Sequence, residues 1–183
     1  MKEMYKYRGI ILGCFAFVLL LFPHRSSFFS HFSIIFLSIG VFFRVEARRV
    51  IGAHSRHQEL KAPYLVTTGI YGYLRHPLYL SNMLIGSGFV FAHLGNSWLS
   101  FFLIFLYCLF IYRLSKQEDV FLEKLFGVEF LEWKKHTKAF YPQKPQKKKI
   151  DTPKKEFITA FKLDSHTWIW LFLYSLLLML RSQ

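Results

Sequence analysis

Five apolar stretches, separated by polar segments, divide the chain. They cover residues 9–22, 28–43, 78–94, 98–112 and 167–180, and each is short for a helix that crosses a membrane. Because a bilayer core requires about 20 apolar residues in a helix, the stretches must recruit flanking residues or lie partly in the interface. The pattern predicts an all-α, polytopic membrane helix bundle with about five transmembrane or interfacial helices.

The polar segments carry signals for where helices begin and end. The second helix is expected to continue past its apolar stretch and to break near Gly52. Pro77 is well placed to begin the third helix, because the first turn needs no partner for a backbone N–H. Beyond Tyr112, apolar and charged residues alternate at helical spacing, which predicts a cytoplasmic amphipathic helix that ends at Gly127. A second amphipathic helix is predicted from residue 128 to about residue 139.

The third apolar stretch also has a face of small residues. Gly86 and Gly88 lie within it, and such residues allow neighbouring helices to approach closely. The connection from His93 to Ser97 is short and contains no Lys or Arg, which predicts a tight hairpin on the outer side of the membrane. Residues 141–155, in contrast, are rich in Pro and Lys and predict a basic tether near the lipid headgroups.

Composition supports the membrane assignment, and the placement of charge gives an orientation. The chain has 183 residues, 53% of them hydrophobic, and a net charge of +13. All Lys and Arg residues except Arg25 and Arg181 lie in the N-terminal tail or in the segments 44–75 and 113–162. By the positive-inside rule, the N-terminus and both long polar segments are cytoplasmic. Because these basic residues flank apolar stretches, contact with membrane lipids is favoured over contact with nucleic acid.

The cysteines and histidines predict neither a disulfide framework nor a metal site. Cys14 and Cys108 both lie in apolar stretches, and His54 and His57 have no carboxylate or cysteine at ligand spacing. The chain also has no glycine-rich phosphate loop after a strand, which excludes a soluble nucleotide-binding fold.

A polar cluster precedes the third apolar stretch and is the first candidate site. It contains Tyr71, Tyr73, Arg75, His76 and Tyr79. Their hydroxyl, guanidinium and imidazole groups suit a polar ligand, and ionisable groups beside apolar sequence are costly and therefore functional candidates. Tyrosine and arginine are also common anchors at the membrane interface, so composition alone favours a structural role.

The acidic pair Glu118 and Asp119 is the second candidate site. It lies in a segment otherwise rich in Lys, with Arg113 about one and a half turns upstream. On the residues alone, the pair fits a solvated helix face on which Lys116 and Lys124 are neighbours.

Together, the two clusters resemble a known family. The runs at residues 65–71 and 75–79 are similar to the signature of the isoprenylcysteine carboxyl methyltransferases and the related membrane phospholipid methyltransferases. The resemblance covers about residues 40–142 and continues, after the acidic pair, through Phe126-Gly127, Glu129-Phe130, Trp133 and Pro142.

The chain departs from the family pattern at a few positions. The family's glycine, second glutamate, two tyrosines and arginine are replaced by Ser81, Asp119, Phe130, Trp133 and Leu114, respectively. The family places its arginine one helical turn before the first carboxylate, where this chain has Leu114. The adjacent Arg113 is rotated from that position by about 100° on a helix.

The resemblance implies a methyltransferase that uses S-adenosylmethionine, with the cofactor site on the cytoplasmic side. It implies catalytic roles for Arg113, as an anchor for the acceptor, and for Glu118. The cofactor-binding residues that it implies are Leu65, Val66, Tyr71, Arg75, His76, Pro77, Leu78, Tyr79, Glu118 and Asp119.

The apolar pattern and the limits of the resemblance together predict a division of the chain. Residues 1–43 are expected to form an N-terminal transmembrane hairpin, and residues 44–142 a methyltransferase-like region with two transmembrane helices. Residues 143–183 are expected to form the basic linker and a C-terminal hydrophobic helix.

The implied acceptor is lipophilic, either a small molecule or a prenylated substrate, and O-methylation of an isoprenylcysteine carboxylate is the preferred reaction. Phospholipid N-methylation is one alternative. A sterol-type membrane reductase, which has a similar Arg-His-Pro-x-Tyr signature but binds NAD(P)H, is another; the acidic pair before Phe126-Gly127 favours methyl transfer. A membrane scaffold without catalysis is the third. The expected location is a bacterial inner membrane or the endoplasmic reticulum, and the oligomeric state stays open.

Overall fold

The computed structural model describes residues 7–23, 31–52, 64–144 and 155–181. These residues form seven α-helices and one 3-10 helix, and none of them is in a strand, so the all-α prediction is confirmed. The helices are α1 (Arg8–Leu21), α2 (His31–Ile51), the 3-10 helix (Gly69–Gly72), α3 (Pro77–Leu94), α4 (Trp98–Phe126), α5 (Val128–His136), α6 (Phe157–Lys162) and α7 (Ser165–Arg181). The histidines at 54 and 57 and most of the basic tether lie outside the described residues.

Several predicted helix boundaries are confirmed. Gly52 follows α2 and Gly127 follows α4, both with a positive φ, the conformation that favours glycine. Pro77 occupies the first turn of α3. Ser97 caps α4, and its hydroxyl accepts a hydrogen bond from the backbone N–H of Ser100 at 3.3 Å.

The region beyond Tyr112 is where the predicted helices need correction. The fourth apolar stretch and the amphipathic segment after it form one continuous helix, α4, of 29 residues. The residues change from apolar to charged near Tyr112, but no glycine or proline lies there to end the helix. The second amphipathic helix, α5, ends at His136, three residues earlier than expected.

Glycines set the distance between α2, α3 and α4, although the small residues expected to form one face of α3 lie on two sides of it. A Cβ atom added to Gly88 would lie 2.8 Å from the Leu37 side chain of α2. On the other side of α3, a Cβ atom added to Gly86 would lie 2.3 Å from the Tyr107 ring of α4. The Tyr107 hydroxyl donates a hydrogen bond to the Asn82 carbonyl at 2.9 Å, which fixes this contact.

Helices α1 and α7 flank α3. Leu178 of α7 is fully buried against a cluster that includes Ile85 and Phe89 of α3, and Leu19 of α1 packs with Val90 and Leu94. Both flanking helices also expose large apolar side chains, among them Phe17 on α1 and Phe172 on α7.

Within the described residues, α4 is the one helix that is long and apolar enough to cross a membrane. Helices α1 and α7 are apolar but shorter. Because α4 also exposes Phe101, Phe102 and Phe105, its surface suits an apolar surrounding. The five-span topology stays a prediction.

Asp164, between α6 and α7, ties the C-terminal helices to α2. Its carboxylate pairs with the guanidinium groups of Arg44 and Arg48, the latter at 3.0 Å; Asp164 and Arg48 are buried, and Arg44 is partly buried. Burial disfavours the charged form of the carboxyl group, but the two positive charges outweigh this effect and lower the pKa of Asp164 below its usual value.

We expect the substitution Gly86→Ala to lower the stability of the protein. Its methyl group would overlap the Tyr107 ring, and overpacking of this kind typically costs about 1–3 kcal/mol. The measurement is the unfolding midpoint in detergent. Gly13→Ala on α1, where a Cβ atom meets nothing within 4 Å, is the matched control and should leave the midpoint unchanged or slightly raised. Equal losses in both variants would contradict the packing argument.

The stabilisation by Asp164 should depend on pH. A carboxyl group whose pKa is lowered by folding stabilises the folded state above its unfolded pKa of about 3.9, and this stabilisation disappears as the pH falls through the lower folded pKa. The wild-type protein should therefore exceed Asp164→Asn in stability at pH 7, by about 3–5 kcal/mol. The difference should shrink below about pH 4. Unfolding midpoints measured from pH 7 downward test this, and a difference independent of pH would contradict it.

Candidate functional site

Backbone hydrogen bonds position the turn that contains Arg75, His76 and Pro77. The N–H of Arg75 donates to the Lys138 carbonyl at 2.9 Å, and the N–H of His76 donates to the Ala139 carbonyl at 3.0 Å. Further along, the N–H of Gln143 donates to the Tyr73 carbonyl at 2.8 Å. The segment after α5 therefore runs beside the turn. The first residues of the predicted basic tether, up to residue 144, belong to the site's framework.

Asp119 holds the side chains of this turn from α4. Its carboxylate accepts hydrogen bonds from Arg75 Nη2 at 3.1 Å and from His76 Nε2 at 2.8 Å, and all three side chains are buried. Arg75 Nη1 also donates to the Thr137 carbonyl at 2.9 Å. A carboxylate can only accept, so His76 carries a proton on Nε2. Asp119 thus joins α4, the turn before α3 and the segment after α5.

Glu118, the neighbour of Asp119 on α4, faces a different direction. One of its carboxylate oxygens lies 3.9 Å from His76 Nδ1, and its side chain is 29% exposed. Successive residues on a helix are rotated by about 100°, so one carboxylate of the pair enters the protein while the other reaches a cavity. The acidic pair therefore has one buried and one accessible member.

The cavity beside Glu118, termed the polar cavity, has a volume of about 240 Å³. Tyr71 contributes a buried phenol to its wall. Burial and the nearby charge of Glu118 raise the pKa of Tyr71 well above its usual value, so this hydroxyl stays protonated. The described residues of the wall are Arg8, Gly9, Leu12, Arg44, Arg48, Ile51, Tyr71, Arg75, His76, Pro77, Leu78, Tyr79, Asn82, Leu114 and Glu118.

Most of the candidate site residues named from the sequence meet at this cavity. Those on its wall are Tyr71, Arg75, His76, Pro77, Leu78, Tyr79 and Glu118. Asp119 lies behind the wall, bonded to Arg75 and His76. Leu65, Val66 and Arg113 are not among the described residues that line it. Arg113 is exposed, whereas the adjacent Leu114 is buried and faces the cavity.

The sequence argument missed the contribution of α1 and α2 to this wall. Arg44 and Arg48 lie one helical turn apart on α2, and both reach the cavity, as does Arg8 at the start of α1. The sequence did contain a signal, since Arg44 and Arg48 share a helix face. Their position beside an apolar stretch made membrane orientation a sufficient explanation.

A comparison with known families gives information that is independent of the site's geometry. Residues 10–129, more than half of the chain, match the family described as phospholipid methyltransferase. The chain belongs to the phospholipid methyltransferase family. This family comprises membrane methyltransferases, and the resemblance noted in the sequence is confirmed. No curated protein and no solved structure matches the chain.

The match to the phospholipid methyltransferase family covers a different range of residues from the resemblance that the sequence motifs indicated. It begins in α1, whereas the motifs covered only residues 40–142, and it ends at the start of α5. The first apolar helix is therefore part of the family region, which agrees with the presence of Arg8 and Leu12 on the wall of the polar cavity. Helices α6 and α7 lie outside the matched region.

Removal of the Asp119 carboxylate should destabilise the protein strongly. Asp119→Ala leaves the buried Arg75 guanidinium without its acidic partner, and such a loss typically costs about 3–5 kcal/mol. The matched control is Glu123→Ala on the same helix. The Glu123 side chain pairs with Lys134 but is 44% exposed, so its loss should cost less than about 1 kcal/mol. Unfolding midpoints in detergent compare the two, and similar losses would contradict the central role of Asp119.

Proposed function

We propose that the protein is a multi-pass membrane methyltransferase that uses S-adenosylmethionine and methylates a lipophilic acceptor at its cytoplasmic face. The observation that carries the proposal is the polar cavity, where the carboxylate of Glu118 meets the aromatic rings of Tyr71 and Tyr79. The family match supports methyl transfer rather than the nicotinamide-dependent reduction that the Arg-His-Pro motif also allows.

The chemistry of the cavity wall fits the cofactor. A sulfonium cation is stabilised by a nearby carboxylate and by aromatic faces, which Glu118, Tyr71 and Tyr79 supply. A carboxylate on the ligand is suited to the guanidinium groups of the wall. Arg8, Arg48 and Arg75 supply such groups on the wall of the polar cavity.

When bound, S-adenosylmethionine supplies an electrophilic methyl group, which the lone pair of an acceptor oxygen or nitrogen takes while the former S–C bonding pair stays on sulfur. The residues of the chain contribute positioning and electrostatics. Glu118 stabilises positive charge, His76 is fixed by Asp119, and Leu114 excludes water from one wall. No nucleophilic side chain is required.

The order of the helices supports a single cytoplasmic site. The cavity is formed at the start of α1, the end of α2, the start of α3 and the end of α4. In a chain that crosses back and forth, these four ends lie on one side, and the segments rich in Lys and Arg adjoin the same ends. The proposed orientation thus agrees with the position of the cavity.

Two acceptor classes satisfy these constraints, an isoprenylcysteine carboxylate and a phospholipid amine. The test is to incubate the purified protein with lipid extracts and S-adenosylmethionine labelled in the methyl group. A labelled lipid is expected, and its identity names the acceptor. An absence of labelled lipid, combined with binding of NADPH instead of S-adenosylhomocysteine, would overturn the proposal.

The cofactor site itself is tested by Glu118→Gln. This change removes the negative charge that favours a sulfonium, so affinity for S-adenosylmethionine should fall by about tenfold, which corresponds to about 1.4 kcal/mol. Affinity for S-adenosylhomocysteine, whose sulfur is neutral, should fall less. Glu132→Gln on α5, an exposed carboxylate paired with Lys135, is the control and should leave both affinities unchanged. Equal losses for both ligands in Glu118→Gln would argue against this role.

A further inference from the structure

A second cavity, termed the apolar cavity, adjoins the polar cavity and has a volume of about 590 Å³. The two cavities share wall residues on three helices, namely Gly9, Leu12, Arg44 and Asn82. Because they share these residues, the two cavities are direct neighbours. A ligand in the apolar cavity therefore lies beside whatever occupies the polar cavity.

The apolar cavity is polar at one end and apolar elsewhere. Its polar end contains Arg44, Asn82 and Thr167, next to the polar cavity. Away from that end its wall is almost entirely aromatic and aliphatic, from Phe15, Ala16, Leu19, Ile85, Phe89, Tyr107, Trp170, Leu171 and Tyr174. This arrangement matches a molecule with an anionic group at one end and a hydrocarbon chain at the other. Its size is in the usual range of ligand sites, about 300–1,000 Å³.

Arg44 is fixed at the junction of the two cavities. Its guanidinium donates hydrogen bonds to the Asp164 carboxylate, to Asn82 Oδ1 at 2.6 Å and to Thr167 Oγ1 at 2.9 Å. Three partners on separate elements hold the group in one orientation, which lowers the entropy cost of binding an anion. No comparable group comes from α4, because Arg113 is exposed and Leu114 is apolar.

The C-terminal segment builds much of this arrangement. Asp164 and Thr167 hold Arg44, and Trp170, Leu171 and Tyr174 of α7 form one wall of the apolar cavity. All of these residues lie beyond the family-matched region, which ends at residue 129. The family-matched part of the site and its C-terminal part are thus separate in sequence.

We propose that residues 164–174 complete the acceptor site: Asp164 and Thr167 position Arg44 to bind an anionic group of the lipid, and α7 encloses its hydrocarbon chain. The proposal rests on the proposed function. It assigns the anionic group to Arg44 and makes Asp164 a positioning residue. The anionic group is a carboxylate in an isoprenylcysteine and a phosphodiester in a phospholipid.

The hydrocarbon part is tested by narrowing the cavity with Leu171→Trp. Leu173→Trp, two residues away on the exposed side of α7, is the matched control. Each acceptor is used as a long-chain and a short-chain version. The phospholipids are dioleoyl and dihexanoyl phosphatidylethanolamine, and the thioethers are N-acetylcysteine with an S-farnesyl or an S-(3-methylbut-2-enyl) group. For whichever long-chain acceptor the wild type methylates, we expect the KM to rise at least tenfold in Leu171→Trp. The KM of its short-chain counterpart, the binding of S-adenosylhomocysteine and the Leu173→Trp control should not change.

The anionic part is tested with two competitors that have the same chains, dioleoyl phosphatidic acid and dioleoylglycerol. Wild type should bind the phosphate-bearing competitor at least tenfold more tightly than the neutral one. Arg44→Gln should lose this preference, Arg44→Lys should keep most of it, and Asp164→Asn should reduce it. A cooperative unfolding transition in detergent shows that each variant is folded.

The outcomes separate the two proposals. Normal methylation with unchanged chain-length dependence in Leu171→Trp, or an unchanged preference in Arg44→Gln, overturns the acceptor site and leaves the proposed function standing. A wild-type protein that binds S-adenosylhomocysteine but methylates neither lipid class overturns both. Equal KM increases for long and short chains would show that Leu171→Trp acts through general destabilisation, which also contradicts the proposal.

Discussion

The need to compensate one buried carboxylate organises the region around the polar cavity. Asp119 lies inside, where an unpaired charge is costly, and Arg75 and His76 both donate to it. Because Arg75 also bonds the carbonyl of Thr137, the same interaction fixes the segment after α5. The end of α4, the start of α3 and this segment therefore hold one another in place. The wall around Glu118 follows from that arrangement.

A second buried acid performs the corresponding task on the other wall. Asp164 pairs with Arg44 and Arg48 of α2, so the C-terminal helices are joined to the helix that lies opposite Glu118. Neither Asp119 nor Asp164 is among the described residues that line the polar cavity, whereas their arginine partners do line it. Buried acids thus set the positions of the guanidinium groups on the cavity wall, and a ligand there meets groups that are already oriented.

The fold was predictable where local signals determine it. Pro77, Gly52 and Gly127 mark helix ends because their backbone preferences act within one turn, and Gly86 and Gly88 indicate close packing by their size alone. The continuation of α4 past Tyr112 was not predicted, because a change from apolar to charged residues looks like a helix end. The absence of glycine and proline at that point is what keeps the helix intact. Most of the residues that the motifs singled out line the polar cavity. The pairing of Arg44 with Asp164 spans 120 positions, and no local pattern reports such a contact.

The length of α4 has a consequence for how a lipid would be handled. Twenty residues separate Trp98 from Glu118, and at about 1.5 Å per residue they rise about 30 Å, which equals the thickness of a hydrocarbon core. In the proposed orientation, the Glu118 carboxylate then stands at the depth of the headgroups on the cytoplasmic leaflet. Under the proposed function, a lipid headgroup at that depth would reach the reacting centre by lateral diffusion within its own leaflet. Its chain would exchange bilayer hydrocarbon for protein hydrocarbon without passing through water, and the free energy of lifting a lipid out of the membrane would not be required.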